Sequence, residues 1–381
     1  MIEASQDQYD SRPSVLEFFA GIGLARIGLE AAGLRVEWAN DFEPAKEEMY
    51  RGEFGGSGDY VLGDIAQVSG ASLPGRSSLA WASSPCTDLS LAGTRAGFAG
   101  EQSGTFWHFV RLMSELGNAA PATVVLENVI GLASSHGGDD ITAAIRAFNA
   151  LGYSVDVLVL DARRFVPQSR PRLFLVGVRS PRGPVDAIPN ELRPDWLQWV
   201  FQDPTLRTHR RVLPKPPALL TEGFTRVATQ FESADVVWWD DERIARFVSS
   251  LSETQLRRVS LMRSMPGLRY RTAYRRTRNG IPVWEVRADD VAGCLRTARG
   301  GSSKQAVVLM GDGVLKVRWM TAREYAALMG APDYNLSAIR DAQAHFGFGD
   351  AVAVPAVAWL GENYLVPAIA DSARTPAESV S

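Results

Sequence analysis

The chain has 381 residues, 46% of them apolar and 22% charged, a composition typical of a globular protein with one large and one smaller domain. Only two cysteines occur, Cys86 and Cys294, which excludes a disulfide framework and fits a reducing, prokaryotic cytoplasm. Four scattered histidines form no metal-ligand pattern, no apolar run reaches the length of a membrane span, and the polar N-terminal segment is unlike a secretory signal. We therefore expect no metal and no membrane partner.

The net charge of −3 hides an asymmetry between two regions of the chain. Residues 181–337 contain 24 Lys/Arg and 17 Asp/Glu, so this region carries +7 and the remainder −10. A basic region within an acidic chain indicates a module that binds a polyanion, attached to a catalytic body.

The first 180 residues alternate apolar strands with helical stretches, which predicts a doubly wound α/β domain with its ligands at the carboxyl ends of the strands. A first helix ends near residue 33, and further helices are predicted at 43–54 and 141–151. The predicted strands span 14–19, 35–39, 60–62, 79–83, 123–126, 153–160 and 172–178, the last two forming a closing pair.

After Arg179, proline and arginine become frequent and the regular periodicity weakens, which predicts a domain boundary near residue 180 and a smaller, irregular domain beyond it. An amphipathic helix is predicted at 321–330, and a last helix at 350–360 that returns to the first domain. The polar tail from Asp371 is predicted to be disordered. The predicted division is 12–180, 181–337, 338–370 and a tail of 371–381.

The segment Phe19-Ala20-Gly21-Ile22-Gly23 follows a strand and opens a helix, so its backbone is suited to approach a ligand closely. Asp41 ends the second strand 20 residues after Gly21, where an acid suits ribose hydroxyls, and Phe42 beside it suits stacking on adenine. Asp64-Ile65 follows the third strand and suits the adenine amino group. The alternative is a generic strand-to-helix turn with incidental acids.

Ser84-Pro85-Cys86 follows the strand at 79–83. A lone cysteine is more often a small buried apolar residue than a nucleophile. Here Pro85 predicts an exposed turn, Thr87, Asp88 and Ser90 make the surroundings polar, and the glycine-rich stretch 91–100 suits a mobile lid.

Glu127 follows the strand at 123–126, and parallel strands end at one edge of a sheet, so Cys86 and Glu127 are expected to meet. A thiolate and a carboxylic acid together suit addition to an electron-poor ring such as a pyrimidine. Arg170 and Arg172, two residues apart on an extended segment, are expected to point the same way, toward a base and its phosphates. The alternative is that Glu127 is a surface acid and that Arg170 and Arg172 are a surface arginine pair.

Taken together, these motifs resemble the cytosine-C5 DNA methyltransferase family, in the family's own order, over 14–180 and about 290–370. Three departures stand out: Ser84 replaces a proline, Asp350 replaces an asparagine, and Thr-Asp-Leu-Ser follows Cys86 in place of Gln-Gly-Phe-Ser. The matching segments are 19–23, 40–44, 63–65, 84–86, 103–106, Glu127-Asn128-Val129, Gln168-Ser169-Arg170-Pro171-Arg172, 320–324 and Gly349-Asp350-Ala351-Val352.

The resemblance implies a Rossmann-like methyltransferase domain, S-adenosylmethionine as methyl donor with S-adenosylhomocysteine as product, and a cytosine flipped out of double-stranded DNA. Cys86 would attack C6, Glu127 would engage N3 and the exocyclic amine, Arg172 would bind the O2 side, and Arg170 would position the chain. The implied cofactor contacts are Phe19, Ala20, Gly21, Ile22, Gly23, Asp41, Phe42, Asp64, Ile65, Pro85, Asp350, Ala351 and Val352.

The region 181–290 aligns with no family motif, as is expected of a target-recognition region, and 269–278 holds its densest basic run. Five arginines with two tyrosines suit contacts to phosphates and guanine. The predicted DNA contacts are Ser90, Arg95, Arg271, Arg275, Arg276, Arg278 and Lys304.

Four other functions are weighed against this one. A tRNA cytosine methyltransferase of the same family is disfavoured by the size of the basic segment, and amino-group methylation by Cys86 at the position where those enzymes carry an aromatic residue. Intact Cys86, Glu127 and Arg170/Arg172 argue against a catalytically silent DNA-binding protein. For a cysteine hydrolase, neither His108 nor His136 has an evident orienting partner. We expect an enzyme of restriction-modification or phage defence, with cognate restriction or defence proteins as partners. We expect it to be a monomer associated with the nucleoid.

Overall fold

The computed structural model describes residues 11–56, 58–85, 104–232, 235–278, 280–296 and 304–373. The strands are β1 (Ser14–Phe18), β2 (Arg35–Asp41), β3 (Tyr60–Leu62), β4 (Leu79–Ser83), β5 (Thr123–Val129), β6 (Ser154–Asp161), β7 (Pro171–Val178), β8 (Arg269–Arg278), β9 (Ile281–Val286), β10 (Ala306–Gly311) and β11 (Val314–Trp319). The helices are α1 (Leu24–Ala31), α2 (Pro44–Phe54), α3 (Thr105–Leu116), α4 (Asp139–Ala150), α5 (Gln198–Gln202), α6 (Phe224–Val227), α7 (Asp241–Ser249), α8 (Glu253–Ser264), α9 (Ala322–Leu328), α10 (Asp341–Asp350), α11 (Val354–Leu360) and α12 (Val366–Ala373).

A seven-stranded sheet in the order β3-β2-β1-β4-β5-β7-β6 forms the main body of the protein. The strands from β1 to β5 pair in parallel, and β7 pairs antiparallel with both β5 and β6. The strand order reverses between β1 and β4, which opens a crevice at their carboxyl ends, the usual ligand site in such sheets. The predicted doubly wound α/β fold is confirmed.

Alternating side chains of β1 pack on opposite faces of this sheet. Val15 joins one apolar core with α1, α9 and α11, whereas Leu16 and Phe18 join a second core with α3 and α4. Both faces of the sheet are therefore covered, as the βαβ rhythm of the sequence requires.

A smaller antiparallel sheet in the order β11-β10-β8-β9 lies beyond the main body. Ala306, Val308 and Met310 of β10 pack into a third core with α7, α8 and Trp239, whereas Val307 and Leu309 face the core of the main sheet. This part of the region that we expected to be irregular therefore contains a regular sheet. The basic run at 269–278 is β8, and its arginines occupy the partly buried and exposed positions of the strand.

Several predicted boundaries shift in the structure. Glu127-Asn128-Val129 lie inside β5 and not after it, because β7 pairs with β5 as far as Val129. The helix predicted at 350–360 is two helices, with α10 ending at Asp350 and α11 beginning at Val354. The helix α12 continues through Ala373, past the predicted start of the tail, and 374–381 lies outside the described residues.

The stretch Asp341–Ala373 has the length and mean hydropathy of a membrane-spanning helix, and 56% of its most apolar window is buried inside the protein. Its α11 segment packs closely on α1. A Cβ added to Gly28 would lie 2.7 Å from the backbone oxygen of Val354 and 2.7 Å from Cβ of Val357. This contact is the kind that a core helix makes.

Candidate active site

The carboxyl ends of β4 and β5 bring the predicted nucleophile segment beside the predicted acid. Ser83 pairs with Glu127 in the parallel register, and the side-chain amide of Asn128 donates a hydrogen bond to the backbone oxygen of Ser84 at 3.3 Å. Half-buried Pro85 follows directly. Cys86, Ser90 and Arg95 lie outside the described residues, so the structure shows the strand end that leads to the thiol and not the thiol itself.

Glu127 and Arg172 form an ion pair at this edge of the sheet. Nε of Arg172 lies 3.0 Å from Oε1 of Glu127, and the two side chains are 12% and 9% exposed. The antiparallel register of β5 with β7, in which Val129 faces Arg172, produces this contact. An acid and a guanidinium are therefore held together next to the end of β4.

Arg170, which the spacing predicts to point the same way as Arg172, is more deeply buried and has further partners of its own. Its side chain is 1% exposed and donates to the backbone oxygens of Leu295, Gly349 and Ala351. It therefore joins β7 to two distant segments of the chain, which fits a positioning role and leaves Arg172 as the arginine beside the acid.

Cys294, to which the sequence assigned no role, lies between these two arginines. Its Sγ accepts a hydrogen bond from Arg170 at 3.3 Å and another from Arg172. Burial alone would raise the pKa of this thiol, but the charges of Arg170, Arg172 and Arg296 bring it below its ordinary value. Nothing in the local sequence marks Cys294, because its two partners lie more than 120 residues away.

The loop between β1 and α1 turns through the left-handed backbone region, as is expected of a ligand-binding turn. Phe19, Gly21 and Gly23 have φ values of 57°, 57° and 79°. The backbone N–H of Gly21 donates to Oδ2 of Asp41 at 2.9 Å. A Cβ on Gly23 would lie 2.3 Å from Cε2 of Phe54, so the turn needs glycine there.

The neighbouring strand ends carry the groups that a purine nucleoside requires. Phe42, beside Asp41, exposes 57% of its side chain. Asp64 is exposed and caps the turn at Ile65–Gln67, while Asn40 holds the end of β3 through the oxygens of Val61 and Gly63. A carboxylate, an open aromatic ring and a second carboxylate thus follow one edge of the sheet, and these residues fit the expected nucleotide cofactor.

Other predicted cofactor contacts have buried side chains, so only their backbones are available to a ligand. Ala20, Ile22, Ile65 and Val352 lie in the apolar cores. The oxygen of Ala351 accepts from Arg170. Asp350 is exposed and forms an ion pair with Lys46, a residue that the sequence analysis did not select.

The predicted DNA contacts divide into buried and exposed groups. Arg271 is partly buried and bonds Asp290 at 3.3 Å, and Asp290 also accepts from the backbone N–H groups of Gly223 and Thr225, so Arg271 is a structural residue in this surface. Arg276 and Arg278 are exposed and share Glu285 as partner. Half-buried Arg275 and Lys304 lie over the rings of Trp284 and Trp319.

Within the ranges that the structure describes, no group of three or more His, Cys, Asp or Glu side chains is placed to hold a metal ion.

Comparison with known proteins identifies the family of the chain. The model of the C-5 cytosine-specific DNA methylase family matches residues 14–365. The chain belongs to this family.

Two curated relatives are Type II methyltransferases. M.HhaI of Haemophilus parahaemolyticus is 30% identical over 166 residues, which are 43% of this chain and 49% of that protein. M.HpaII of Haemophilus parainfluenzae is 24% identical over 367 residues, which are 92% of this chain and 88% of that protein. The chain thus spans about half the length of M.HhaI and most of M.HpaII.

Solved structures share the fold at low sequence identity. The S. pombe Dnmt2 methyltransferase superposes with a TM-score of 0.59 at 16% identity, covering 96% of this chain and all of that one. The Entamoeba histolytica methyltransferase EhMeth has a TM-score of 0.58 at 13% identity, covering 96% of this chain and 99% of that one.

Proposed function

We propose that this chain methylates C5 of a cytosine flipped out of double-stranded DNA, through a covalent bond between Cys86 and C6. The observation that carries the proposal is the register of β4 with β5, which brings the backbone before Cys86 beside the Glu127–Arg172 pair. The same edge of the sheet holds Asp41 and Phe42, so an acid, a nucleophile segment and a cofactor site share one crevice.

Each residue at this edge has a separate task in the proposed reaction. The thiolate of Cys86 forms a bond to C6, and the electron pair of the C5–C6 double bond becomes available at C5. Glu127 holds N3 and the exocyclic amine, while Arg172 orients Glu127 and faces the O2 side. After C5 has been methylated, loss of its proton restores the double bond and releases the Cys86 thiolate.

The cofactor in this proposal is S-adenosylmethionine, which supplies the methyl group when bound and leaves as S-adenosylhomocysteine. Asp41 would hold the ribose hydroxyls, Phe42 would stack on the adenine, and Asp64 would accept from its amino group. The loop at Phe19–Gly23 would approach the amino-acid end with its backbone.

The substrate-binding surface in this proposal is the smaller sheet and the segments around it. Its exposed arginines, Arg276 and Arg278, and the half-buried Arg275 and Lys304 would contact the DNA backbone or base edges.

Side chains of 192–228 and 320–334 pack in the cores of the main sheet, whereas the third core lies within 239–317. We therefore place the target-recognition domain at about 235–320, narrower than 181–337.

The names of two relatives support a proposal for the cellular role. M.HhaI and M.HpaII are named Type II methyltransferases, which supports a role in restriction-modification or defence. The proposal places the chain in the cytoplasm, as a monomer acting on nucleoid DNA.

A trapping experiment tests the covalent step. Duplex DNA containing 5-fluorocytosine should form a denaturation-resistant adduct with the wild-type chain, because fluorine at C5 cannot leave as a proton does. Cys86→Ala should form none, while Cys294→Ala serves as the matched loss of the other thiol and should still be trapped. Absence of any adduct from wild-type protein that methylates ordinary DNA would refute the mechanism.

A second experiment decides between DNA and the alternative of a tRNA cytosine. Methyl transfer to duplex DNA and to bulk tRNA should be compared side by side, with the proposal requiring the DNA to be the better substrate. Bisulfite sequencing of DNA from cells that express the chain would then locate the modified cytosine and its sequence context.

A further inference from the structure

The ion pair between Lys46 of α2 and Asp350 at the end of α10 lies at the cofactor edge of the main sheet. Nζ of Lys46 is 3.0 Å from Oδ2 of Asp350, and the side chains are 13% and 36% exposed. The stem of Lys46 passes the cofactor loop, because its Cδ would lie 3.9 Å from a Cβ on Gly21. Gly21 in turn donates to Asp41, whose carboxylate also acts on Lys46, so the pair lies near both the loop and the predicted ribose acid.

Both residues of this pair are unusual at their positions. Asp350 stands where the resemblance leads us to expect asparagine, so this chain adds a negative charge near Asp41. Lys46 is in the first turn of α2, where the helix dipole disfavours a cation. Burial alone would lower the pKa of the Lys46 ammonium group, but the carboxylates of Asp41, Asp350 and Glu43 raise it above its ordinary value. The charges of Lys46 and Asp350 therefore stabilise each other.

A purely structural tether between α2 and α10 already exists elsewhere. The side-chain amide of Gln343 donates to the oxygen of Ala45 at 2.8 Å and to Oε2 of Glu48 at 2.7 Å. Holding α10 against α2 therefore does not require a second, charged contact, and a role toward a ligand accounts for the position of the pair.

We infer that Lys46 and Asp350 recognise the amino-acid end of S-adenosylmethionine, with the Lys46 ammonium binding the α-carboxylate and the Asp350 carboxylate binding the α-ammonium. This inference rests on the proposed function for the identity of the cofactor. The α-carboxylate and α-ammonium are carried by one carbon atom, so a cation and an anion 3.0 Å apart match them in charge and spacing. In the proposed function Asp41, Phe42 and Asp64 hold the adenosine part, which leaves the pair for the amino-acid end.

Binding of two ligands to the full chain tests this assignment without methyl transfer. S-adenosylhomocysteine carries the amino-acid end, and 5′-methylthioadenosine lacks it. The charge-balanced double variant Lys46→Met/Asp350→Asn should bind S-adenosylhomocysteine about tenfold more weakly by isothermal titration calorimetry. Its affinity for 5′-methylthioadenosine should stay within about twofold of the wild-type value.

The matched control is a second charge-balanced pair on the same helix. Arg51 and Glu47 lie 2.9 Å apart and are 40% and 21% exposed, so Arg51→Met/Glu47→Gln should leave both affinities unchanged. A second measurement uses wild-type protein alone, which should bind decarboxylated S-adenosylhomocysteine about tenfold more weakly than the intact ligand, whether or not the double variant folds.

The outcomes separate this inference from the proposed function. If the double variant loses affinity equally for both ligands, or for neither, Lys46 and Asp350 do not bind the amino-acid end and the inference is wrong. Equal wild-type affinity for the decarboxylated and intact ligands would also overturn it. If wild-type protein binds neither S-adenosylhomocysteine nor 5′-methylthioadenosine, the proposed cofactor itself is wrong.

Discussion

Oε1 of Glu127 and Nε of Arg172 lie 3.0 Å apart, where β5 ends and the antiparallel strand β7 begins, beside the segment leading to Cys86. The pair is largely removed from solvent, so each charge depends on the other. Arg172 is in turn hydrogen-bonded to Cys294, which Arg170 also contacts. A continuous polar chain therefore runs from the proposed catalytic acid to the carbonyl groups of the C-terminal segment.

The Glu127→Gln variant should show the contribution of the acid to methyl transfer, separately from the contribution of the side chain to packing. The amide keeps the size of the side chain and loses the acid, so the rate of methyl transfer should fall by about 10²–10⁴-fold. Single-turnover transfer of labelled methyl groups to DNA measures this effect. Arg172→Met should also slow the reaction, and it should lower the free energy of unfolding by about 1–3 kcal/mol because the Glu127 charge loses its partner.

Arg179→Met is the control for the loss of an arginine, because Arg179 follows the far end of β7 and donates to Gly117. It should leave the single-turnover rate unchanged. A Glu127→Gln variant that transfers methyl groups at the wild-type rate would remove Glu127 from the mechanism.

The thiol of Cys294 should ionise at a lower pH than an ordinary cysteine. Burial opposes this, but Arg170, Arg172 and Arg296 stabilise the thiolate and lower the pKa. In a Cys86→Ser background, the rate of alkylation by iodoacetamide should therefore reach its half-maximum at a lower pH than it does for a free thiol. Mass spectrometry of the modified peptide over a pH series measures this midpoint.

Arg172→Met in the same background should move that midpoint upward, because one of the stabilising charges is gone. If the midpoint lies at or above that of a free thiol in both proteins, the arginines do not control Cys294.

Glu17 of β1 should make the stability of the protein depend on pH. Its side chain is 1% exposed, and burial raises its pKa from 4.5 to about 8, with Arg26 opposing the shift. The folded state therefore keeps a proton that the unfolded state loses above about pH 4.5. This contribution to stability is complete at low pH and is lost as the pH rises toward 8, by at most about 1.4 kcal/mol per pH unit.

Glu17→Gln should flatten this dependence, so that its free energy of unfolding falls less than that of the wild type between pH 5 and pH 8. Urea unfolding at four pH values measures the difference. Glu253→Gln, which removes an exposed acid from α8, should retain the wild-type slope. Identical slopes for wild type and Glu17→Gln would contradict the assignment.

The sequence predicts the main sheet well because its signals are local. The bounds of β3 and β4 agree with prediction, and the meeting of the Cys86 segment with Glu127 follows from parallel strands sharing one edge. The helix predicted at 350–360 fails for a local reason too, since residues 351–353 leave the helix between α10 and α11.

The remaining features depend on contacts between distant parts of the chain. Arg170 and Arg172 look equivalent in sequence, and their different partners are visible only in the fold, where Arg170 donates to the oxygens of Leu295 and Gly349, more than 120 residues away. Lys46 could have been noticed, because a cation in the first turn of a helix and the change of asparagine to Asp350 are both visible in sequence. Their proximity is visible only in the fold.

Arg271 and the pair Arg276/Arg278 share one basic run but should respond differently to loss of charge. Arg271 is half-buried against Asp290, which also holds the backbone at Gly223 and Thr225. Arg276 and Arg278 are exposed at the end of β8, so they are accessible to phosphates. Arg276→Gln/Arg278→Gln should therefore weaken duplex DNA binding and reduce the slope of log affinity against log salt by about 1 for each phosphate that is no longer neutralised.

Arg271→Gln is the matched substitution within the same strand. It should lower the free energy of unfolding, because Asp290 loses a partly buried partner, while the salt slope of DNA binding stays near the wild-type value. Fluorescence anisotropy with a labelled duplex at four salt concentrations, together with urea unfolding, separates the two effects. If the double variant keeps the wild-type affinity and slope, the end of β8 does not bind DNA, and the phosphate-binding surface must lie elsewhere on the chain.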